Sequence, residues 1–371
     1  MRAVTWLAER LAVAPDLAAF HTALADTGVL GADPRFMQLE IDVSNRCNLR
    51  CVMCYHSLDA FVRRPPAFLS IEAFGRVADT VLPHAHTLTL ALGSEPMTSP
   101  HFIPVLHAAA HHHVPRMTFF TNATLMTDAV VEAILDAGVT EVCVSIDGAT
   151  RDTYEAIRRG ASFDRVIGNV RRLIAARDGR GLTAPRVRFD VVLMRRNVHE
   201  LPAIVGLAAL CGAGAVNFFH MVTYEGLDTA SQSLAATPAL SDRWLGMALL
   251  AAERLGITVT AHPKLFSAAR SVDARRAETE QPDGTPYCAF PFFHVSMNSD
   301  GDVLPCPFSH GEAPYGRVTA ETPLPVIWLG SRFSELRRRI LDRDPPDMCR
   351  RCSYLASRHP NDSRRFAPRP N

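Results

Sequence analysis

Three cysteines close together in the chain form the pattern with the clearest chemistry. Cys47, Cys51 and Cys54 have C-x3-C-x2-C spacing on a loop that follows a predicted strand. A C-x2-C pair alone is compatible with a redox motif or a zinc site. Three adjacent thiols without a fourth favour an iron–sulfur cluster, because thiolates hold such clusters and an iron without a protein ligand can bind another molecule. A three-cysteine zinc site using His56, or three reduced buried thiols, are the alternatives.

Four further cysteines occur near the C-terminal end, at Cys288, Cys306, Cys349 and Cys352. The last two form a C-x2-C pair, and an Asn-Ser-Asp-Gly stretch before Cys306 predicts a hairpin turn that would present this residue. Four thiolates suit structural zinc and an iron–sulfur cluster equally well, so spacing alone does not decide between these two kinds of site.

Two single cysteines remain of the nine in the sequence. Cys143 lies two residues before Ser145 on a predicted strand, so both side chains share one face. A thiol there is a candidate hydrogen-atom donor, although buried cysteines are usually small hydrophobic residues. Cys211 ends a predicted helix and is expected to pack. His220, at the end of another strand, is a candidate substrate contact or a structural histidine.

The elements that must position these residues alternate between strand-like and helix-like segments. Apolar β-rich runs occur at 37–43, 87–92, 117–121, 139–146, 187–194, 215–222 and 257–260, and helix-like runs at 71–81, 101–111, 127–137, 163–177, 201–210 and 241–255. This alternation predicts an α/β fold with a parallel sheet, either doubly wound or a partial (β/α) barrel. In both architectures the chemistry is expected at the carboxyl ends of the strands.

The composition shifts along the chain predict five segments: a helical lead-in (1–36), the α/β region (37–261), a polar linker (262–287), a cysteine-bearing module (288–352) and a tail (353–371). The module contains one predicted helix, over 331–341, and too little apolar pattern for an independent core. We therefore expect a metal centre to hold it together.

The chain has 371 residues, and its 39 Lys and Arg against 38 Asp and Glu leave a formal charge of +1. This balance gives no electrostatic reason to expect a nucleic acid or an anionic membrane as a partner. The sequence has no run of about 18 apolar residues that would span a bilayer. The first twenty residues are interrupted by Glu9, Arg10 and Asp16, unlike a secretory signal peptide. We therefore expect a cytoplasmic protein with reduced thiols.

The first cysteine segment resembles the signature of the radical S-adenosylmethionine (SAM) superfamily. In that family three cysteines hold a [4Fe–4S] cluster, and the amino and carboxylate groups of SAM chelate its fourth iron. Here Met53 replaces the usual aromatic residue before the third cysteine. The resemblance implies that Cys47, Cys51 and Cys54 bind this cluster.

Short motifs at successive predicted strand ends also resemble the family, and each alone is typical of an ordinary turn. They are Leu-Gly-Ser-Glu-Pro, similar to the family's Gly-Gly-Glu-Pro, then Thr-Asn-Ala, Ser-Ile-Asp-Gly and Leu-Met-Arg-Arg-Asn. By resemblance, the Glu-Pro motif receives the SAM ammonium, a charge-assisted contact. The resemblance implies SAM contacts at Gly93, Ser94, Glu95, Pro96, Asn122, Ser145, Asp147 and Arg196.

The second cysteine set resembles the shortened SPASM module called a twitch domain, which follows radical SAM barrels and binds one auxiliary [4Fe–4S] cluster. The resemblance implies that Cys288, Cys306, Cys349 and Cys352 are its ligands. The fold it implies is a partial (β/α)6 TIM-like barrel followed by a small, irregular β-hairpin and helix module.

The activity implied by the resemblance is reductive cleavage of SAM. An external one-electron donor, such as flavodoxin or ferredoxin, reduces the first cluster, and the resulting 5′-deoxyadenosyl radical takes a hydrogen atom from the substrate. We expect oxidation of a small polar metabolite, such as a sugar or cyclitol in natural-product biosynthesis, with the auxiliary cluster accepting an electron. Candidate catalytic groups are Asp147, Arg196 and His220. Peptide modification, and redox-neutral epimerisation with Cys143 as hydrogen donor, are the alternatives.

Overall fold

The computed structural model describes residues 9–26, 33–91, 93–222, 224, 226–262, 288, 290–307, 309, 313–342 and 344–350. The strands in these residues form one sheet, ordered β10-β9-β8-β1-β2-β3-β4-β5-β6-β7. They are β1 (Met37–Ile41), β2 (Ala85–Leu90), β3 (Arg116–Thr121), β4 (Glu141–Ser145), β5 (Arg186–Leu193), β6 (Ala215–His220), β7 (Thr258–His262), β8 (His294–Met297), β9 (Asp302–Leu304) and β10 (Gly316–Arg317).

The helices of the barrel region follow the strands in alternation. The described α-helices are α1 (Leu17–Ala25), α2 (Asp59–Val62), α3 (Ile71–Val81), α4 (Phe102–Ala110), α5 (Asp128–Asp136), α6 (Arg151–Ile157), α7 (Phe163–Gly179), α8 (Leu201–Cys211), α9 (Pro238–Leu255), α10 (Phe290–Phe293), α11 (Leu324–Leu329), α12 (Ser331–Leu341) and α13 (Asp347–Arg350). No helix in the described ranges is long and apolar enough to cross a membrane.

Local sequence signals begin and end these helices. The side chains of Ser70, Thr127 and Thr150 each accept a hydrogen bond from the first turn of the helix that follows, as N-cap residues do. Gly212 and Gly256 end α8 and α9 in the left-handed conformation that glycine adopts without strain. These caps explain why the predicted bounds of the long helices agree closely with the structure.

The strand order confirms the barrel-type architecture. From β1 to β7 every neighbouring pair is parallel, and the strands follow one another in sequence order. A doubly wound sheet reverses its strand order at a switch point, and this sheet has no such reversal between β1 and β7. The fold is therefore the partial TIM-like barrel.

Side chains alternate between the two faces of the curved sheet. Val142 and Val144 belong to the apolar core beneath the helices. Glu141 and Arg188 project from the opposite face, where they form an ion pair of 2.7 Å, and Arg188 also pairs with Asp190 at 2.8 Å. The concave face of the barrel is therefore polar and charged.

The C-terminal hairpin is part of the barrel sheet. Strand β8 pairs in parallel with β1 and antiparallel with β9. Its residues Val295 and Met297 belong to the same apolar core as the barrel, together with Trp328 and Phe333. The cysteine-bearing module, which has too little apolar pattern for a core of its own, shares the core of the barrel.

Helix α1 joins the N-terminal region to this C-terminal part. The rings of Phe20 and Trp328 are 4.7 Å apart, and the guanidinium of Arg337 lies 4.6 Å from the first ring and 4.1 Å from the second. Arg337 also donates hydrogen bonds to the carbonyls of Pro291 and Trp328. This cluster fixes α12 against the lead-in helix.

Candidate functional site

The three clustered cysteines lie at the carboxyl end of the barrel, on the loop that follows β1. We call residues 42–54 the cluster loop. Cys51 is buried, Cys47 and Cys54 are half-buried, and all three pack with the apolar side chains of Leu49, Met53, Ile157, Met194 and Met221. The amides of Arg50 and Val52 donate to the carbonyls of Arg159 and Ile157, which fixes the loop against the end of α6.

The chemistry of this donor set fits an iron–sulfur cluster. Burial raises the pKa of Cys47 and Cys51 to about 11 and raises the pKa of Cys54, so thiolates here need bound cations. Within the described ranges, no three His, Cys, Asp or Glu side chains converge on a point that one metal ion would occupy. Each cysteine of a cluster binds a different iron, so such convergence is not required. His56, the fourth ligand of the zinc alternative, instead places Nε2 2.7 Å from the Gly93 carbonyl.

The end of β2 packs directly against the cluster loop. The Gly93 amide donates to Asp42 Oδ1 at 3.2 Å, and its carbonyl accepts from the Tyr55 hydroxyl at 2.8 Å. A Cβ atom on Gly93 would lie 2.4 Å from that hydroxyl oxygen. Only glycine fits this close approach, and the Ser94 hydroxyl points to the same Asp42 oxygen at 3.5 Å.

Glu95 is fully buried and its carboxylate is already engaged. Oε1 accepts from the Thr121 hydroxyl at 2.8 Å and the Met97 amide at 3.3 Å, and Oε2 accepts from the Asn122 amide at 2.7 Å. Burial raises its pKa to about 7. The carboxylate thus joins the ends of β2 and β3. Pro96, the next residue, is also buried.

Asn122 connects the end of β3 to the cluster loop. Its Nδ2 donates to Asn48 Oδ1 at 2.9 Å and lies 3.8 Å from Cys47 Sγ. Its Oδ1 accepts from the Thr124 amide and hydroxyl. Ala123, at the position of the family's glycine, is buried with a φ of 57°, a conformation that costs an alanine about 1 kcal/mol or more.

The end of β4 contributes a buried ion pair rather than an exposed carboxylate. Asp147 is wholly buried, with Oδ1 accepting from the Val192 amide at 2.7 Å and Oδ2 2.7 Å from Arg158 Nε. Arg158 Nη1 in turn lies 3.9 Å from Cys51 Sγ. This geometry favours a positioning role for Asp147 over the catalytic or SAM-contacting role expected from its motif.

Ser145 and Cys143 share the concave face of β4, as their spacing predicts. Ser145 is half-buried, whereas Cys143 is fully buried and its Sγ lies 3.5 Å from Thr118 Oγ1 and 3.8 Å from Glu141 Oε2. Burial raises the pKa of the Cys143 thiol. The structure therefore places Cys143 in the interior of the barrel rather than at its open end.

Arg196 and His220 lie at different positions around the strand ends. The exposed Arg196 lines a 270 Å³ cavity with Val52, Ser57, Arg159, Gly226, Leu227, Asp228 and Gln232. Its Nη1 is 3.4 Å from the Ala156 carbonyl. His220 ends β6, and burial lowers its pKa to about 4, so the ring is neutral at pH 7. His220 is not among the residues that line this cavity.

The second cysteine set is described for three of its four members. Cys288, Cys306 and Cys349 are half-buried, and Cys288 and Cys349 pack against the main core. Cys306 follows β9, and its carbonyl accepts hydrogen bonds from the amide and hydroxyl of Ser309. The hairpin thus presents Cys306 as its turn sequence predicts. Cys352 lies outside the described residues.

Two family models match the chain on both sides of this site. The radical SAM superfamily model matches residues 41–185, and an iron–sulfur cluster-binding domain model, SPASM, matches residues 288–353. The chain therefore combines a radical SAM region with a SPASM region. Its cofactors are SAM, the SAM-binding [4Fe–4S] cluster and an auxiliary cluster, and the two matched regions contain all seven cysteines of the two sets.

Individual relatives show how far the likeness extends. Mycofactocin maturase MftC of Mycobacterium tuberculosis is 31% identical over 172 residues, which is 46% of this chain and 41% of the relative. The chain thus spans less than half of that relative's length. AdoMet-dependent heme synthase of Methanosarcina barkeri is 26% identical over 340 residues, covering 86% of this chain and 89% of the relative. Streptococcus suis SuiB has the same fold, with a TM-score of 0.66, 16% identity and coverage of 86% of this chain and 71% of SuiB.

Sequence reasoning missed three residues that support this radical SAM site. Arg158, Tyr55 and Asp42 all contact the cluster loop or the Gly93 motif, but none belongs to a metal-ligand pattern. A signal existed for Tyr55, because it directly follows Cys54. Arg158 gave no comparable signal, since only the packing of α6 brings it beside Cys51.

Proposed function

We propose that this radical SAM enzyme modifies a peptide, rather than the small polar metabolite that the sequence first suggested. The observation that carries this proposal is the combination of a radical SAM region with a SPASM region in one sheet. A mycofactocin maturase is among the relatives, and solved neighbours of the same fold include SuiB with its precursor peptide SuiA and anSMEcpe with a peptide.

Strand β7, at one end of the described sheet, supports the proposal of a long substrate. Among the described residues β7 pairs only with β6, at the opposite end of the sheet from β10. An extended peptide can add to such an edge through main-chain hydrogen bonds, and alternate side chains then point to the concave face of the sheet. The polar concave face, with Glu141, Arg188 and Asp190, lies beneath those ends.

Different residues of the chain would bind the two clusters, contact SAM and accept a proton. Cys47, Cys51 and Cys54 would hold the first cluster, and Gly93, Ser94, Glu95, Pro96, Asn122 and Ser145 would border SAM. When bound, the reduced cluster and SAM supply a 5′-deoxyadenosyl radical that takes a hydrogen atom from the substrate. His220 would accept a proton, because its ring is neutral at pH 7. The four cysteines of the second set would hold the auxiliary cluster, and flavodoxin or ferredoxin would supply electrons.

A small-molecule substrate is the second candidate, and one observation favours it. The heme synthase relative matches nearly the whole chain, whereas mycofactocin maturase matches less than half. A carboxylated tetrapyrrole therefore belongs in the substrate test beside sugars and cyclitols. Whether the net reaction is an oxidation or redox-neutral is part of the same test.

The test uses protein reconstituted anaerobically with iron and sulfide, then given SAM and dithionite. Short peptides encoded beside the gene are compared with a panel of sugars, cyclitols and carboxylated tetrapyrroles, and 5′-deoxyadenosine is quantified by mass spectrometry. We expect one peptide to raise its formation at least about ten-fold, equivalent to about 1.4 kcal/mol in the barrier. Loss of two hydrogens from that peptide indicates oxidation, and gain of one deuterium from D2O indicates epimerisation.

One control variant and one refuting outcome complete the test. The Cys51→Ala variant should form no 5′-deoxyadenosine, because it lacks one of the three proposed ligands of the first cluster. If only a member of the small-molecule panel stimulates the wild-type protein and is itself changed in mass, the peptide proposal is wrong and the second candidate is right.

A further inference from the structure

A buried ion pair lies directly behind the cluster loop. Arg158 Nε is 2.7 Å from Asp147 Oδ2, and the two side chains are 10% and 0% exposed. The same guanidinium places Nη1 3.9 Å from Cys51 Sγ, within the range of a hydrogen bond to sulfur. Arg158 is therefore a cation in contact with a residue that would bind the first cluster.

The local sequence explains how this arginine reaches the cluster loop. A Cβ atom on Gly148 would lie 2.6 Å from the backbone nitrogen of Tyr154, so glycine lets α6 fold back closely against the end of β4. Arg158 follows the last turn of α6, and its amide donates to the Tyr154 carbonyl at 2.8 Å. The helix thus delivers the guanidinium to the buried side of the cluster loop.

Two residues on and after the neighbouring strand β5 hold Asp147 in place. Its Oδ1 accepts from the Val192 amide at 2.7 Å, and its carbonyl accepts from Asn197 Nδ2 at 3.0 Å. Its Oδ2 faces the guanidinium. The carboxylate therefore has one orientation, and through it the direction of the Arg158 side chain is set.

Stability alone is a weak reason to bury this pair, because the cost of desolvating two charges commonly offsets their attraction. An arginine guanidinium stays protonated in proteins, so Arg158 is a permanent positive charge beside Cys51. Reduction adds an electron to a cluster whose thiolate ligands are already negative. A nearby positive charge and an N–H donor directed at a ligand sulfur both stabilise the reduced state.

We propose that Arg158 raises the reduction potential of the cluster held by Cys47, Cys51 and Cys54, and that Asp147 positions it for this role. The step affected is the transfer of one electron from an external low-potential donor of the flavodoxin or ferredoxin class. No bond forms or breaks in it, and Arg158 keeps its proton. This role of Arg158 is the same for a peptide and for a small-molecule substrate. The proposal on the reduction potential can therefore be wrong while the proposed peptide modification is right, and the reverse.

The test measures the midpoint potential of each cluster by anaerobic redox titration followed by electron paramagnetic resonance. The first cluster is identified by the change in its spectrum when SAM is added. The Arg158→Gln variant removes the charge and keeps an N–H donor toward Asp147. We expect at least a ten-fold fall in its reduction equilibrium constant, which for one electron is about 59 mV toward more negative potential.

Two comparisons separate charge from a general disturbance of the fold. Arg158→Lys keeps the charge and should recover at least half of the shift in potential. Arg159→Gln removes the adjacent exposed arginine and should leave the potential unchanged. The auxiliary cluster in the same molecules is an internal reference, and its potential should not move in any variant.

The Asp147→Asn variant tests the positioning role by the sign of its effect. Loss of a negative charge alone would raise the potential, whereas release of Arg158 from its anchor would lower it toward the Arg158→Gln value. We expect the potential to fall. If the potential of Asp147→Asn rises or does not change, the positioning role of Asp147 is wrong. If the Arg158→Gln protein binds iron and has the same midpoint potential as the wild type, the role of Arg158 is wrong. If neither Arg158 variant binds the first cluster, Arg158 is needed to bind the cluster rather than to set its reduction potential, and the proposal is also wrong.

Discussion

The contact between Gly93 and Tyr55 allows a sharp test of how the end of β2 supports the cluster loop. In a Gly93→Ala variant the new Cβ would lie 2.4 Å from the Tyr55 hydroxyl oxygen and 3.3 Å from Asp42 Oδ2. The Tyr55 ring cannot move away freely, since it packs against His56, Phe61 and Tyr224 at centroid distances of 4.7–5.6 Å. The substitution must therefore displace the residue that directly follows Cys54.

The expected cost follows from two contributions. Forcing an extra methyl into a packed site costs about 1–3 kcal/mol. Moving the Tyr55 ring also breaks its 2.8 Å hydrogen bond to the Gly93 carbonyl, worth about 0.5–1.5 kcal/mol. Gly93→Ala should therefore destabilise the protein by about 2–4 kcal/mol.

A double-mutant cycle with Tyr55→Phe isolates this contact. Phenylalanine lacks the hydroxyl that the new Cβ would meet, and the next ring atom, Tyr55 Cζ, is 3.8 Å away. In that background Gly93→Ala should cost less than about 1 kcal/mol, so the coupling energy should exceed about 1 kcal/mol. The assay is anaerobic urea unfolding of reconstituted protein, with iron content measured in parallel. An equal cost of Gly93→Ala in both backgrounds would refute the steric argument.

Three further predictions concern the auxiliary site and the packing around the barrel. Cys306→Ala should lower iron from about eight to about four per chain and leave substrate-free formation of 5′-deoxyadenosine within about two-fold of wild type; unchanged iron content would contradict the ligand assignment. Phe20→Ala removes a ring 4.7 Å from Trp328 and should cost about 3–5 kcal/mol in thermal unfolding, against under about 0.5 kcal/mol for the exposed Val13→Ala. Glu200 accepts from two amides and two hydroxyls at 2.5–3.2 Å around the start of α6. Glu200→Ala should cost about 2–4 kcal/mol and Glu200→Gln less, because glutamine keeps one acceptor oxygen; equal costs would contradict this.

The helices and strands were predictable because they depend on local patterns. The run at 71–81 has an apolar stripe and a Ser70 cap, and α3 occupies the same residues. The strand order also follows from alternation, since consecutive parallel strands joined by helices commonly lie side by side. The pairing of β8 with β1 was not predictable in this way, because the two strands are far apart in sequence.

The roles of the buried carboxylates were less accessible to sequence reasoning. Glu95 and Asp147 both follow strands, in motifs that suggest ligand contacts, yet the structure engages each with neighbouring main-chain amides. A motif gives the position of a side chain along the chain, but its partners depend on how helices and strands pack. Arg158 is the clearest case, because its charge acts on a loop more than a hundred residues away.

The shared sheet has a consequence for how the two clusters work together. The Asp42 amide donates to the Met297 carbonyl of β8 at 2.9 Å, and its carboxylate accepts from the Gly93 amide of the SAM motif. One residue thus links the strand that precedes Cys47 to the hairpin that carries Cys306. Because strands in register do not slide without breaking several hydrogen bonds, the separation of these two ligand loops is set by the sheet. Electron transfer between the clusters would then proceed across a fixed distance, without a domain movement to bring them together.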